Sequence, residues 1–272
     1  MKQKLSVIMA TYRDNPEFLE KCVDSILNQT FCNFEFIIVV EPKETNISFL
    51  EKTAKLDNRV KVLENASRVG ISASRNRAIR ESSGEYIALI DGDDYCDLSR
   101  FEKQLEFLEN NSDISVVGSN MYLVDESNVI IGERIYPELH KDIQSYFLIT
   151  MAVANPTVMT RKKDMEDAGL FDAGFPKAED LDLWLRFLAL NKKMYNIQEN
   201  LVYYRMLANH YEKRSSLHYK SNYIARKRHS RFIWPLHIRF FSLFFYFFIS
   251  HIPDGLLCRL VNLKISYKLK NK

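Results

Sequence analysis

The chain has little of what would staple a small fold together. Its four cysteines, Cys22, Cys32, Cys96 and Cys258, form no Cys-x-x-Cys pair and share no regular spacing, so neither a zinc ribbon nor a disulfide framework is suggested. Glycine and proline are also sparse, 8 and 7 in 272 residues, which excludes collagenous and linker-like sequence. No Gly-x-Ser-x-Gly elbow and no Cys/His arrangement offers a covalent nucleophile. No apolar h-region with a cleavage site follows Met1–Lys4, so the expected compartment is the reducing cytoplasm. The Asn-x-Ser/Thr triplets at Asn28, Asn46, Asn65 and Asn110 are then accidents of composition.

With 46% hydrophobic residues the chain can bury one good core. Charge is divided unevenly along it. Residues 205–272 hold 14 Lys and Arg against only Glu212 and Asp254, a balance of +12, whereas the preceding 204 residues carry 24 basic and 33 acidic side chains. An acidic body with a basic tail points to an anionic partner for the tail.

Short β-branched runs alternate with amphipathic stretches in the first half. Leu5–Ala10, Phe34–Val40 and Val60–Leu63 read as strands, with helical spacing between them at Phe18–Leu27 and 47–56. The order βαβαβ means parallel strands with right-handed crossovers. Residues 70–83 open with Gly70 and small hydroxyl residues and continue as a helix. Its Arg75 lies on the turn nearest the sheet's carboxyl edge, a good place for an anionic ligand. Arg77 and Arg80 are expected on a solvated face.

Tyr86–Ile90 is a buried central strand that ends at Asp91-Gly92-Asp93-Asp94. In open α/β sheets ligands bind beyond the carboxyl ends of the strands. Three carboxylates within four residues repel one another unless a cation sits among them, and hard oxygen donors suit Mg²⁺ or Mn²⁺ held together with substrate phosphates. The turn alone could be a solvated Asx turn. A calcium loop fits badly, because Cys96 stands where glycine is required.

A helix is expected over 98–108, then strands over 114–124 and 129–135 around the turn at 125–128, with later pairing antiparallel. Residues 152–160 read as extended, 163–168 as a short helix and 169–172 as a turn. Ala178–Arg186 then places Glu179, Asp180 and Asp182 on the first turn of a helix whose Leu181, Leu185 and Leu188 face inward. Dipole pairing explains one carboxylate there, and a second is free to act as a general base.

Six motifs in this order, VIMATYR, GISASRNRAI, YIALIDGDDYCD, NPTVMTRK with AGLFD, AEDLDLWLRFL and ENLVYYR, resemble the inverting glycosyltransferases of family 2 over residues 4–210. The resemblance implies the GT-A nucleotide-diphospho-sugar transferase fold, α/β with a mixed central sheet flanked by helices. It implies that Thr11 and Tyr12 line the nucleoside pocket, that Arg75 sits near the diphosphate, and that Asp91 touches the ribose or metal. Asp93 and Asp94 would hold Mn²⁺ or Mg²⁺. Asp180 would be the base, with Glu179 and Trp184 placing the acceptor sugar. Where the family commonly has aspartates after its second strand, this chain has Glu41-Pro42, and Glu41 is expected to accept the same hydrogen bond from the base.

The expected organisation is a catalytic domain over residues 1–210 and a basic, aromatic, membrane-associating helical tail over 211–272. The run Phe240–Ile249 is too short for a span, which needs about 20 residues, and reads as interfacial. A basic amphipathic helix is expected after Pro253. Attachment to an anionic leaflet follows, at the cytoplasmic face of the plasma membrane, with nucleic acid disfavoured for want of a binding motif. By resemblance, the function is metal-assisted transfer of a hexose from a UDP-sugar to a polyprenyl-diphosphate-linked saccharide in O-antigen or capsule synthesis. The rival readings are a metal-dependent phosphotransfer enzyme and a silent GT-A-like scaffold.

Overall fold

The computed structural model describes residues 3–175, 177–207 and 216–252. In chain order the elements are β1 Leu5–Thr11, α1 Pro16–Leu27, β2 Phe34–Val40, α2 Ile47–Leu56, β3 Val60–Glu64, α3 Ile71–Glu81, β4 Tyr86–Leu89, β5 Tyr95–Cys96 and α4 Arg100–Asn110. They continue with β6 Ile114–Val124, β7 Ile130–Arg134, α5 His140–Tyr146, β8 Met159–Arg161, α6 Lys162–Asp167, α7 Glu179–Ala189, β9 Lys193–Arg205, α8 Ser216–Ile233 and α9 Leu236–Ser250.

The described strands make one mixed sheet in the order β3-β2-β1-β4-β8-β6-β9-β5, with β7 paired to β6. The first four are parallel. β8 then runs antiparallel to both β4 and β6. Side chains of β1 alternate between two cores, as strand geometry requires. Leu5, Val7 and Met9 pack with Leu19, Val23 and Ile26 of α1 and with Phe101 of α4. Ile8 faces the other way, into a cluster with Ala78 and Ile79 of α3 and much of α7. A sheet covered on both faces explains why β1, β2 and β4 read as continuous apolar runs.

Local signals fix the helix starts. The Asn15 side chain accepts from the Glu17 and Phe18 amides at 2.9 and 3.4 Å, and Pro16 opens α1 where no amide is needed.

The second half departs from the sequence expectation in three places. Residues 155–157 form a 3-10 turn, and only Met159–Arg161 pairs as a strand, because Pro156 has no amide to donate to a ladder. The helix α5 was not expected. β9 is a 13-residue strand parallel to β6, where antiparallel pairing was expected. Its Gln198-Glu199-Asn200 stretch falls at a register shift that breaks the alternation.

The tail packs on the body as a helical pair. His229 Nε2 of α8 lies 2.9 Å from Asp182 Oδ1 of α7, and Arg226 stacks 3.9 Å from the Tyr246 ring of α9. Ser242 Oγ of α9 donates to the Leu148 carbonyl at 2.5 Å. No helix among the described residues is long and apolar enough to cross a membrane. The boundary expected at 210 and the amphipathic helix expected after Pro253 fall outside the described residues.

Candidate active site

The carboxyl ends of β1, β2 and β4 and the N-termini of α3 and α7 converge on one crevice. After β4 the chain turns sharply, the Asp94 amide donating to the Asp91 carbonyl at 3.1 Å. The chain passes close at Gly92, where a Cβ would lie 2.4 Å from Asp14 Oδ2 and displace that side chain. That same carboxylate oxygen accepts from Thr11 Oγ1 at 2.8 Å, so the loop after β1 is locked against the acidic turn.

Arg75 joins the two acidic segments. Only 4% exposed, it donates to Asp91 Oδ1 at 2.5 Å and to Glu179 Oε1 at 3.4 Å. Burial works against its charge, but Asp91 and Glu179 more than offset this and hold its pKa above the ordinary value. The expected neighbours of the acidic turn and of the α7 N-terminus thus share one cation.

Asp180 follows at the first turn of α7, its Oδ1 accepting from the Leu181 amide at 2.8 Å. Burial, and then the Glu179 charge, push its pKa up to about 7. The residue before Glu179, Ala178, is in the left-handed region at φ 58°, a conformation that costs a non-glycine residue of order 1–2 kcal/mol. The entry into α7 is therefore held in place by its surroundings, with the two carboxylates fixed beside Arg75. Asp182 points away from the crevice, bonded to Arg186 Nε at 3.0 Å.

The acidic turn itself divides in two. Asp91 and Asp93 are partly exposed. Asp94 is 0% exposed, its Oδ1 accepting from the Arg205 amide at 2.8 Å, while its Oδ2 has no partner among the described residues. Burial, then Asp93 and Asp91, raise its pKa well above the carboxylate range. Asp93 and Asp94, expected side by side on one ion, are thus presented differently: Asp94 belongs to the floor of the turn.

Glu41 is likewise engaged by the chain. Its carboxylate accepts from the Gly70 amide at 2.7 Å, from Val69 at 3.1 Å and from Ser74 Oγ at 3.1 Å, closing the N-terminus of α3. Tyr12 is partly exposed between two cations, Arg68 at 4.6 Å and Arg13 at 5.2 Å from its ring. Trp184, expected beside an acceptor, is 0% exposed and edge-on to Phe187 at 5.4 Å in the core. It supports α7 from within and presents no surface to a ligand, so the expectation is corrected here.

Two side chains escaped the sequence reading. Arg205, 2% exposed, donates from Nε to the Asp93 carbonyl at 2.9 Å, from Nη1 to the Asp125 carbonyl at 2.9 Å and from Nη2 to Asn128 Oδ1 at 2.8 Å. It splints the acidic turn to the β6–β7 turn. Tyr204 has its pKa raised by burial and then by Asp94, Asp91 and Asp93. The only sequence signal for either was their place in ENLVYYR.

No group of three or more His, Cys, Asp or Glu among the described residues is arranged to hold a metal by itself. Such a group is not needed for a divalent ion on a diphosphate, which takes one or two carboxylates and completes its shell with phosphate and water. Partly exposed Asp93, with Asp91 beside it, suits that role.

Against known proteins, the pattern described as glycosyl transferase family 2 matches residues 6–167. The chain is 31% identical to an uncharacterised glycosyltransferase of Methanocaldococcus jannaschii over 97% of its own length and 94% of that protein's. It is 34% identical to the O-antigen biosynthesis glycosyltransferase WbnJ of Escherichia coli over 74% of this chain and 79% of that one. Two solved structures share the fold. The S. aureus TarS fragment 1–349 in complex with UDP-GlcNAc has a TM-score of 0.69 at 17% identity, covering 89% of this chain and 70% of that one. The mannosyltransferase PcManGT of Pyrobaculum calidifontis, in complex with GDP-Man and Mn²⁺, has a TM-score of 0.67 at 12% identity, covering 100% and 76%.

Proposed function

We propose, from the premise that this chain belongs to glycosyl transferase family 2 and is a glycosyltransferase with the GT-A fold, that it transfers a hexose from a UDP-sugar to a saccharide hydroxyl with inversion of configuration. The acceptor is carried on a polyprenyl diphosphate, and the product is a surface polysaccharide such as O-antigen or capsule. The kinship with an O-antigen enzyme supports the pathway class, and the UDP-GlcNAc complex of a fold neighbour supports the donor class.

The observation that carries the reading is Asp180: a carboxylate poised near neutral pH, next in sequence to Glu179, which Arg75 bridges to Asp91 of the acidic turn. An alcohol is a poor nucleophile until a base takes its proton, and a base with pKa near 7 does so best at neutral pH. Asp180 accepts the acceptor's hydroxyl proton while the acceptor oxygen bonds to the anomeric carbon and the bond to the diphosphate breaks. One displacement inverts the centre and needs no covalent enzyme intermediate. Glu179, held by Arg75, fixes the base's approach to the acceptor. Thr11 and Tyr12 form the nucleoside side of the crevice, and Glu41 shapes it by holding the loop at 69–70.

A bound Mn²⁺ or Mg²⁺ would neutralise charge on the leaving diphosphate, with Asp93 as its protein ligand. A fold neighbour with Mn²⁺ supports that assignment.

We also assign the protein to the cytoplasmic surface of the plasma membrane. Supporting this, α9 presents six phenylalanines, Phe240, Phe241, Phe244, Phe245, Phe247 and Phe248, each 44–76% exposed. A patch of that kind beside basic α8 suits an anionic leaflet.

The test is donor hydrolysis. Purified protein with Mn²⁺ or Mg²⁺ and a panel of nucleotide sugars is scored for released nucleoside diphosphate, with Asp93→Ala as control. Slow, metal-dependent hydrolysis of one donor, silent in the variant, is expected. Absence of both hydrolysis and calorimetric binding for every donor would contradict the reading.

A further inference from the structure

Away from the crevice, two cavities adjoin along β9 and share Lys103, Gln198 and Glu199 in their linings, with Lys103 Nζ paired to Glu199 Oε2 at 2.5 Å. Their volumes are 380 and 460 Å³, each within the roughly 300–1,000 Å³ of small-ligand sites. Both are lined by aromatic rings. In the first, Tyr203 tilts against Tyr122 at 5.2 Å, and Tyr95, which lies outside the lining, stacks on Tyr203 at 4.4 Å. In the second, Phe107 and Tyr195 stack at 4.4 Å. We propose that these cavities form a continuous saccharide-binding groove that holds the acceptor chain at a distance from the reacting sugar. The inference rests on the reading of this chain as an enzyme that elongates saccharides.

The lining chemistry selects the occupant. Pyranose rings have one apolar C–H face and a rim of hydroxyls, so they are bound by flat aromatic rings together with amide and carboxylate groups. Asp97, Gln198 and Asn200 line the first cavity, and Asn110, Asn111 and Glu138 the second. Asn200 has an Oδ1 without a partner among the described residues. Among the described residues Lys103 is the one cation lining either cavity and it is already paired with Glu199, so these linings offer a nucleic acid or other polyanion no free counter-charge.

The groove is also extended. The lining runs along β9 from Tyr195 to Tyr203, which pair with Val117 and Tyr122 of β6, so the bulged stretch spans about 17 Å at the usual rise per strand residue, room for about three linked sugars. Adjacent residues of a strand face opposite sides. One strand thus gives Tyr203 to the groove and Tyr204 to the acidic turn, whose carboxylates raise its pKa.

The test uses the full chain and saturation-transfer NMR with cellohexaose, laminarihexaose and chitohexaose, each beside its disaccharide. At least one hexasaccharide should bind about tenfold tighter than its disaccharide, as expected when several subsites contribute. Tyr203→Leu and Glu199→Ala should each weaken that binding while donor hydrolysis stays unchanged. Glu199→Ala only releases an exposed ion pair, so it keeps the test valid should Tyr203→Leu disturb the sheet. Absence of hexasaccharide binding, or binding indifferent to both variants, overturns the groove even with donor hydrolysis intact. Loss of donor hydrolysis in the unaltered protein would count against the transferase reading instead, and the binding arm still decides the groove.

Discussion

Arg75 reaches Asp91 Oδ1 at 2.5 Å from a position only 4% exposed. The same guanidinium bonds Glu179 at 3.4 Å, so one buried cation sets the spacing between the turn expected to face the donor and the helix that carries the proposed base. Asp91 and Glu179 are partly exposed, so losing their partner costs less than the about 3–5 kcal/mol of a fully buried pair. Arg75→Ala is therefore expected to lower stability by less than that in denaturant titrations and to reduce transfer. Arg75→Lys keeps the charge but lacks the fork that spans two carboxylates, and should recover stability more than activity.

The unequal burial of Asp93 and Asp94 has a direct consequence for metal dependence. Asp94→Asn keeps an acceptor for the Arg205 amide and removes a buried carboxyl whose charged form is disfavoured. It should leave the Mn²⁺ concentration for half-maximal donor hydrolysis nearly unchanged. Asp93→Asn should raise that concentration at least about tenfold, consistent with loss of a ligand from a site of one or two carboxylates. Equal effects in the two variants would restore Asp94 as a ligand.

Asp180 couples activity and stability to pH in opposite directions. Burial raises its pKa from 3.8 to about 7, so the folded chain retains a proton that the unfolded chain releases. The stability from that proton is fully present below about pH 4 and is lost as the pH rises through about 7. Donor hydrolysis, which needs the ionised base, should instead rise through the same window. Asp180→Asn is expected to raise the melting temperature at pH 8 by the equivalent of about 1 kcal/mol or more, the usual sign for a functional group held in an unfavourable site.

The phenylalanine face of α9 gives a separable test. Phe241→Asp with Phe244→Asp should abolish co-sedimentation with anionic phosphatidylglycerol vesicles and leave soluble donor hydrolysis within about twofold, because neither residue touches the crevice. Vesicle binding that survives both changes would remove α9 from the membrane assignment.

Much of this was legible in the sequence for physical reasons. The parallel half of the sheet could be read because buried strands leave continuous apolar runs between turn residues, as at Phe34–Val40 and Tyr86–Ile90. Arg75 could be placed because Gly70 marks a helix start and the next turn must face the crevice. Trp184 could not, because α7 is buried nearly all round, from Leu181 through Leu185 to Leu188, and periodicity then gives no outward face. β9 was hidden by its polar interruption, and with it the role of Arg205, whose partners come from residues 77 to 112 positions earlier. Sequence shows the place of Glu41 at a strand end but not the three groups of the chain that bond it there.

The central claim is that Asp180 is the base, and the most direct measurement compares turnover with binding in Asp180→Asn. Donor hydrolysis should fall by about 10²–10⁴-fold, the usual contribution of a positioned base, while calorimetric affinity for the donor with Mn²⁺ stays within about threefold. Turnover retained in this variant at neutral pH would contradict the account.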